Sequence, residues 1–223
     1  MNKKIILAAA SLAIAASSAM AAEGKYYVKG NLGYGMSKHD LIATKLNNAT
    51  PASQSFKKTG KGLIGGLGLG ANLGSNVRTD LEFLMDDGLK SKTNASASTY
   101  GANYKVSSYA FLLNAHYDFK NSSKLTPFVT AGVGYGHNKH KVSIANKAGS
   151  FNKNFTKSGN GFAYQLGLGA AYNLGKVDLE LGYRFIDKGA KKVTITPDAQ
   201  NSIKTKKSSG QVNAIMAGVR VGF

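Results

Sequence analysis

Two pairs of carboxylates, Asp80 with Glu82 and Asp178 with Glu180, are the residues of this chain best suited to chemistry. Each pair sits two residues apart, the spacing that puts both side chains on one face of an extended strand. Such a pair could cleave a glycosidic bond, one carboxyl donating a proton while the other attacks or activates water. Glycines at 66, 68 and 70, and again at 132, 134 and 136, resemble phosphate-binding turns. Those turns need a helix behind them to present its N-terminus, and no helical pattern follows either run. His137 and His140 flank Asn138 and Lys139 at the start of a polar stretch. Two histidines three apart could contribute to a metal site, yet no acidic or cysteine residue stands nearby to complete one. No metal and no cofactor is expected.

The elements that must position these groups are strands. Eight segments alternate with period two, one parity apolar or aromatic and the other small or polar: 25–36, 61–73, 77–86, 108–119, 127–136, 162–174, 177–185 and 214–223. In the first, Tyr26, Val28, Leu32, Tyr34 and Met36 oppose Lys29, Asn31, Gly33 and Gly35. In the sixth, Phe162, Tyr164, Leu166, Leu168 and Tyr172 oppose Ala163, Gln165, Gly167 and Gly169. A tilted strand of about ten residues suffices to cross the hydrocarbon layer of a bilayer. The connections alternate too, short after the second, fourth and sixth segments and long after the others. A soluble sandwich would show a charged exposed face; here the second face is mainly glycine, alanine, asparagine and paired charges. The expected fold is all-β, an eight-stranded antiparallel transmembrane β-barrel with short periplasmic turns and four long extracellular loops.

Export fits that reading. Lys3 and Lys4, the apolar run 5–16 and Ala19-Met20-Ala21 form the three parts of a secretory signal, so residues 1–21 are expected to be a signal peptide and 22–223 the barrel. The chain has no cysteine, and its formal net charge of +18 comes almost wholly from lysine. Such a charge would suggest nucleic acid in a cytosolic protein; export sets nucleic acid aside as a partner. Tyr26, Tyr117, Phe119, Tyr172 and Phe223 lie toward one end of the segments, and Tyr34, Tyr109, Tyr135, Phe162, Tyr183 and Phe185 toward the other. They read as the two aromatic girdles of a membrane barrel, in contact with outer-membrane lipid.

Eight strands enclose side chains rather than a channel. The inward charges Arg78, Asp80, Glu82, Asp118, Asp178, Glu180, Arg184 and Arg220, together with His116, are therefore expected to form interior ion pairs, since unpaired buried charges each cost several kcal/mol. Nothing would open that interior to substrate. A lipid-cleaving site would need a serine–histidine pair on the outer face, and no histidine is placed there. Catalysis is not expected.

Lysine gathers in the long connections. The segment 137–159 holds Lys139, Lys141, Lys147, Lys153 and Lys157 with no acidic residue; the last connection holds Lys188, Lys191, Lys192, Lys204, Lys206 and Lys207. These eleven lysines are the candidate ligand-binding residues, a positive crown able to attract an acidic host glycoprotein or sulfated polysaccharide. The alternative is that they serve the envelope itself, with no dedicated ligand.

Several strings carry a family likeness: 78–81 (RTDL), 113–119 (LNAHYDF), 127–134 (PFVTAGVG), 162–169 (FAYQLGLG) and the closing 216–223 (MAGVRVGF). They resemble small outer-membrane β-barrel proteins of alphaproteobacteria, rickettsial surface adhesin-like proteins among them, over nearly the whole chain after the export segment. The resemblance implies an eight-stranded barrel inserted by the outer-membrane assembly machinery, which would recognise the last strand with its terminal aromatic. It also implies adhesion to host cells or serum proteins. The long connections match poorly, so no binding residue carries over.

Overall fold

The computed structural model describes residues 25–45, 52–74, 76–93, 100–146, 152–189, 194–198, 201–207 and 211–223. The expected signal peptide at 1–21, and Lys147, Lys191 and Lys192, lie outside the described residues. The strands are β1 (Tyr26–Lys45), β2 (Ala52–Asn72), β3 (Val77–Thr93), β4 (Tyr100–Asp118), β5 (Leu125–Asn146), β6 (Asn152–Asn173), β7 (Val177–Asp187), β8 (Thr194–Asp198), β9 (Asn201–Lys207) and β10 (Gln211–Gly222).

Strands β1 to β7 pair antiparallel in chain order, β10 pairs with β7, and β10 returns to β1 from Tyr27↔Gly222 to Met36↔Asn213. Closure leaves the membrane wall with no free edge, the condition for a sheet to survive in hydrocarbon. Hydrogen bonds between Tyr26 and Phe223 (3.1 and 2.9 Å) finish the seam at the periplasmic end. The turns at that end are tight and locally capped. Asn173 accepts the Gly175 amide at 3.1 Å, with Gly175 at φ +96°, and Asn121 accepts the Ser123 amide at 2.8 Å.

The apolar parity faces outward. Leu69, Leu81, Leu113, Phe162, Leu168, Leu181 and Ile215 are among many large hydrophobic side chains left exposed, a continuous belt that water would not tolerate and lipid covers. Aromatic rings pack against one another within it, Phe83 against Phe111 across β3 and β4 (4.8 Å between centroids) and Tyr117 against Phe119 along the end of β4 (5.1 Å).

The strands run further than their alternation suggests. β5 and β6 have 22 residues each, about twice what crossing the membrane requires. Much of each expected loop is thus a paired hairpin projecting outward. The reason is physical: beyond the bilayer neither face is buried in lipid, so period-two hydrophobicity ends while the backbone ladder continues. The fourth long connection carries its own hairpin, β8–β9, and β9 lies against residues 40–45 of β1. Pro197 is tolerated because β8 stands at the end of that sheet.

Candidate functional site

The barrel interior is stacked in three layers. The lowest, toward the periplasm, is ionic. Arg78 Nε donates to both Asp118 carboxylate oxygens at 3.0 Å, and its Nη1 lies 3.1 Å from Glu180. Arg220 joins Asp178 (2.8 Å) to Glu180 (3.1 Å), and the Arg78 guanidinium stands 5.0 Å from the Phe128 ring. Just above, Lys29 bridges Asp80 (2.7 Å) and Glu82 (3.2 Å), while His116 Nε2 sits 2.8 Å from Asp80. Glu82 is the hub: Arg184, Asn31, Asn114 and Gln165 all donate to it at 2.7–3.2 Å. All eight interior charges expected from the sequence meet in this network. Lys29, inward by its parity but not among the ion pairs expected from the sequence, is a further member.

The middle layer is apolar. Ile64, Leu84, Leu112, Ile186, Val212 and Met216, with Ala110, Ala163 and Ala214, pack across the lumen and are essentially inaccessible. This plug separates the ionic layer from the outside. Asp80 and Glu82, enclosed by cations, amides and a hydrocarbon lid, are wholly buried, while Asp178 at the periplasmic end keeps partial exposure and is tied to Arg220. As interior fillers they are well placed; as a glycosidase pair they are not.

The top layer is a latch, and it corrects one sequence expectation. Lys188 is not a surface residue: it is fully buried, its ammonium held by Asp86 and by Ser108 Oγ (2.9 Å). After β7 the chain turns into the barrel mouth. Asn138 Nδ2 donates to the carbonyls of Lys188 (2.9 Å) and Gly189 (2.5 Å), and the Gly189 amide donates to Asp187 at 3.0 Å. Gly189 adopts φ +62°, the left-handed conformation that favours glycine. Gly136 clears the way, since a Cβ there would strike the Lys188 carbonyl. No local pattern at Lys188 signals this; it depends on glycines and Asn138 on a strand far away in sequence.

The remaining candidate lysines are scattered along the projecting hairpins. Lys139 and Lys141 are exposed on β5. Lys153 and Lys157 occupy β6 positions opposite Ile144 and His140, and Lys204, Lys206 and Lys207 belong to β9. His137 corrects the expectation of a histidine-free outer face: it stacks on Tyr109 (4.8 Å), and its Nδ1 contacts Asn160 at 2.5 Å. Among the described residues no group of three potential metal ligands converges.

Closed barrel, apolar exterior and filled lumen point to a membrane-inserted surface protein, and the outer membrane protein beta-barrel domain family matches residues 5–223. The chain belongs to that family. Its place is the bacterial outer membrane. A proposed adhesin of Rickettsia conorii is 30% identical over 92% of this chain and 84% of its own length. Among solved structures, outer membrane protein OprG of Pseudomonas aeruginosa superposes with a TM-score of 0.54 at 13% identity, covering 90% of this chain and 97% of its own. Neisserial surface protein A gives a TM-score of 0.50 at 18% identity, covering 89% and 97%. These two are likenesses of fold.

Proposed function

We propose that this outer-membrane barrel is an adhesin-like interaction protein that captures an acidic host ligand, a glycoprotein or sulfated polysaccharide, through lysines of its projecting hairpins. The observation that carries the reading is the β5–β6 hairpin. It extends well past the membrane wall, exposes Lys139 and Lys141, and has no acidic residue anywhere in 137–159. Its positive potential is uncompensated within the hairpin itself. Similarity to proposed rickettsial adhesins supports the same direction. Lys147, Lys153, Lys157, Lys191, Lys192, Lys204, Lys206 and Lys207 belong to the proposed surface; Lys188, being buried, does not. The filled lumen supports a surface role for the barrel rather than transport or catalysis, and the last strand with Phe223 would serve recognition by the assembly machinery.

Lysine attraction is diffuse and screened over about 8 Å at physiological salt. Cells displaying the protein should therefore bind immobilised heparin or host cells strongly at low salt and progressively less as salt rises. Changing Lys139, Lys141, Lys147, Lys153 and Lys157 together to glutamine should abolish most of that binding. Binding no better than that of empty-vector cells at low salt would overturn the reading in favour of a purely structural envelope role.

A further inference from the structure

Beyond the membrane wall the sheet is no longer closed. β7 ends at Asp187, paired with Tyr164 of β6, and β10 begins only at Gln211. Further out, β9 takes over from β10 beside β1, and β8 follows β9. The projecting sheet therefore runs β6-β5-β4-β3-β2-β1-β9-β8, and among the described residues nothing pairs β8 with β6 to complete the ring. The two edges differ. β8 has five residues and includes Pro197, which offers no amide; a short edge with a proline is a protected one. β6 continues from Ala163 out to Asn152 with no proline. Gly189 of the latch lies against Gly161 and Phe162, so the open stretch is 152–160.

The ladder below tells which backbone groups this edge presents. The Asn173 amide bonds to the Lys124 carbonyl on the β5 side, and the Leu174 amide to the Val177 carbonyl on the β7 side, both at 2.8 Å. The register with β5 then runs without a shift from Tyr172 to Asn152. By alternation, the amides and carbonyls of Asn152, Asn154, Thr156, Ser158 and Asn160 point to the open side. Such a row is a template for one more strand. Charge decides which strand. The stretch 137–159 carries five lysines and no acidic residue, so a second copy of the same edge is repelled and an acidic segment is attracted. Lys153 and Lys157 stand two places either side of Phe155. That pattern reads the same in both directions and matches a strand with acidic residues four apart and an apolar one between them. We propose that the open edge of β6 receives an extended acidic segment of a partner polypeptide as an added strand. This rests on the proposed capture of an acidic host ligand and deepens it, naming a polypeptide strand as the partner of this edge.

The test is fluorescence anisotropy of a labelled, end-blocked peptide added to the full chain folded in detergent. The peptide alternates threonine and valine around two glutamates four apart with a tyrosine midway between them. A twin of equal charge carries N-methyl groups on two adjacent central amides, so that neither of its edges can pair. The unchanged protein should bind the peptide and bind the twin roughly tenfold or more weakly, the loss expected when backbone hydrogen bonds go unmade. Thr156→Pro removes an amide on the open side and leaves the β5 ladder alone; it should weaken peptide binding about as much as the twin does, while Thr156→Val should not. The comparison of peptide with twin needs no variant, so it decides even if Thr156→Pro fails to fold. The proposal is overturned if neither peptide binds, if the twin binds as tightly as the peptide, or if Thr156→Pro matches Thr156→Val, since charge alone would then account for association. It is equally overturned if the unchanged protein forms a dimer that Thr156→Pro abolishes, which would give the edge to a second copy. Heparin capture by displaying cells uses no edge amide and should be the same in Thr156→Pro and the unchanged protein, so failure of the lysine reading and failure of the edge are seen separately.

Discussion

Lys188 at the end of β7 and Lys141 on β5 both belong to the outward half of the molecule, yet their surroundings are opposite. Lys188 is enclosed, with Asp86 and Ser108 against its ammonium. Lys141 is exposed and stands in register with another lysine, Lys105. The same contrast separates Lys29, locked between Asp80 and Glu82, from Lys61, paired in register with Lys90. Inside the barrel a charge without a partner costs several kcal/mol, so folding supplies the partner from this chain. On the rim, water screens the charge and like can face like. Interior lysines hold the fold; in the proposed function, rim lysines serve a ligand outside it.

The largest effect that could break this comparison lies at the hub. Glu82→Ala leaves Lys29 and Arg184 in the lumen without their shared carboxylate, and should destabilise the barrel by about 3–5 kcal/mol. Urea unfolding after refolding in detergent measures it. An unchanged midpoint would show that the ionic layer is not structural. Next comes Gly136→Ala, whose new methyl group meets the Lys188 carbonyl. Overpacking there should cost about 1–3 kcal/mol and should raise protease cleavage in the 188–210 connection, read on a gel.

Legibility follows the same division. Alternation revealed the wall because lipid on one side and a crowded lumen on the other impose opposite demands on successive residues. Arg78, Asp80, Glu82, Asp118, Asp178, Glu180, Arg184 and Arg220 were readable as ion pairs because each breaks into an otherwise apolar or small-residue strand at inward parity. Parity puts Lys29 on the inward face but does not pair it, since its carboxylates come from β3 and only strand packing joins them. In the sequence Lys188 looks like one more loop lysine, because its burial follows from Gly136, Asn138 and the φ of Gly189, not from its neighbours along the chain. The upper halves of β1 to β6 resemble loops in the sequence because pairing outside the bilayer leaves no hydrophobic period. The backbone row of Lys61, Lys90, Lys105 and Lys141 depends on three strand registers and is invisible in the sequence for that reason.

Two smaller predictions sharpen the contrast on function and on sign. Lys188→Gln should leave heparin capture by displaying cells unchanged, because the ammonium never reaches solvent; a loss comparable to that from the five hairpin substitutions would place Lys188 back at the surface. Lys105→Gln should stabilise the protein slightly in neutral detergent, by about 0.2–1 kcal/mol, through relief of its opposition to Lys90 and Lys141. A clear destabilisation would mean that the row is satisfied from within the chain.

The most direct test sets the two lysines side by side, comparing urea unfolding of Lys188→Gln and Lys141→Gln in the same neutral detergent. Lys188→Gln should lose about 1–3 kcal/mol as a buried charge-assisted contact disappears, while Lys141→Gln should stay within about 0.5 kcal/mol of the unchanged protein. Equal losses, or a greater loss at Lys141, would contradict the division between lysines that hold the fold and lysines that await a ligand.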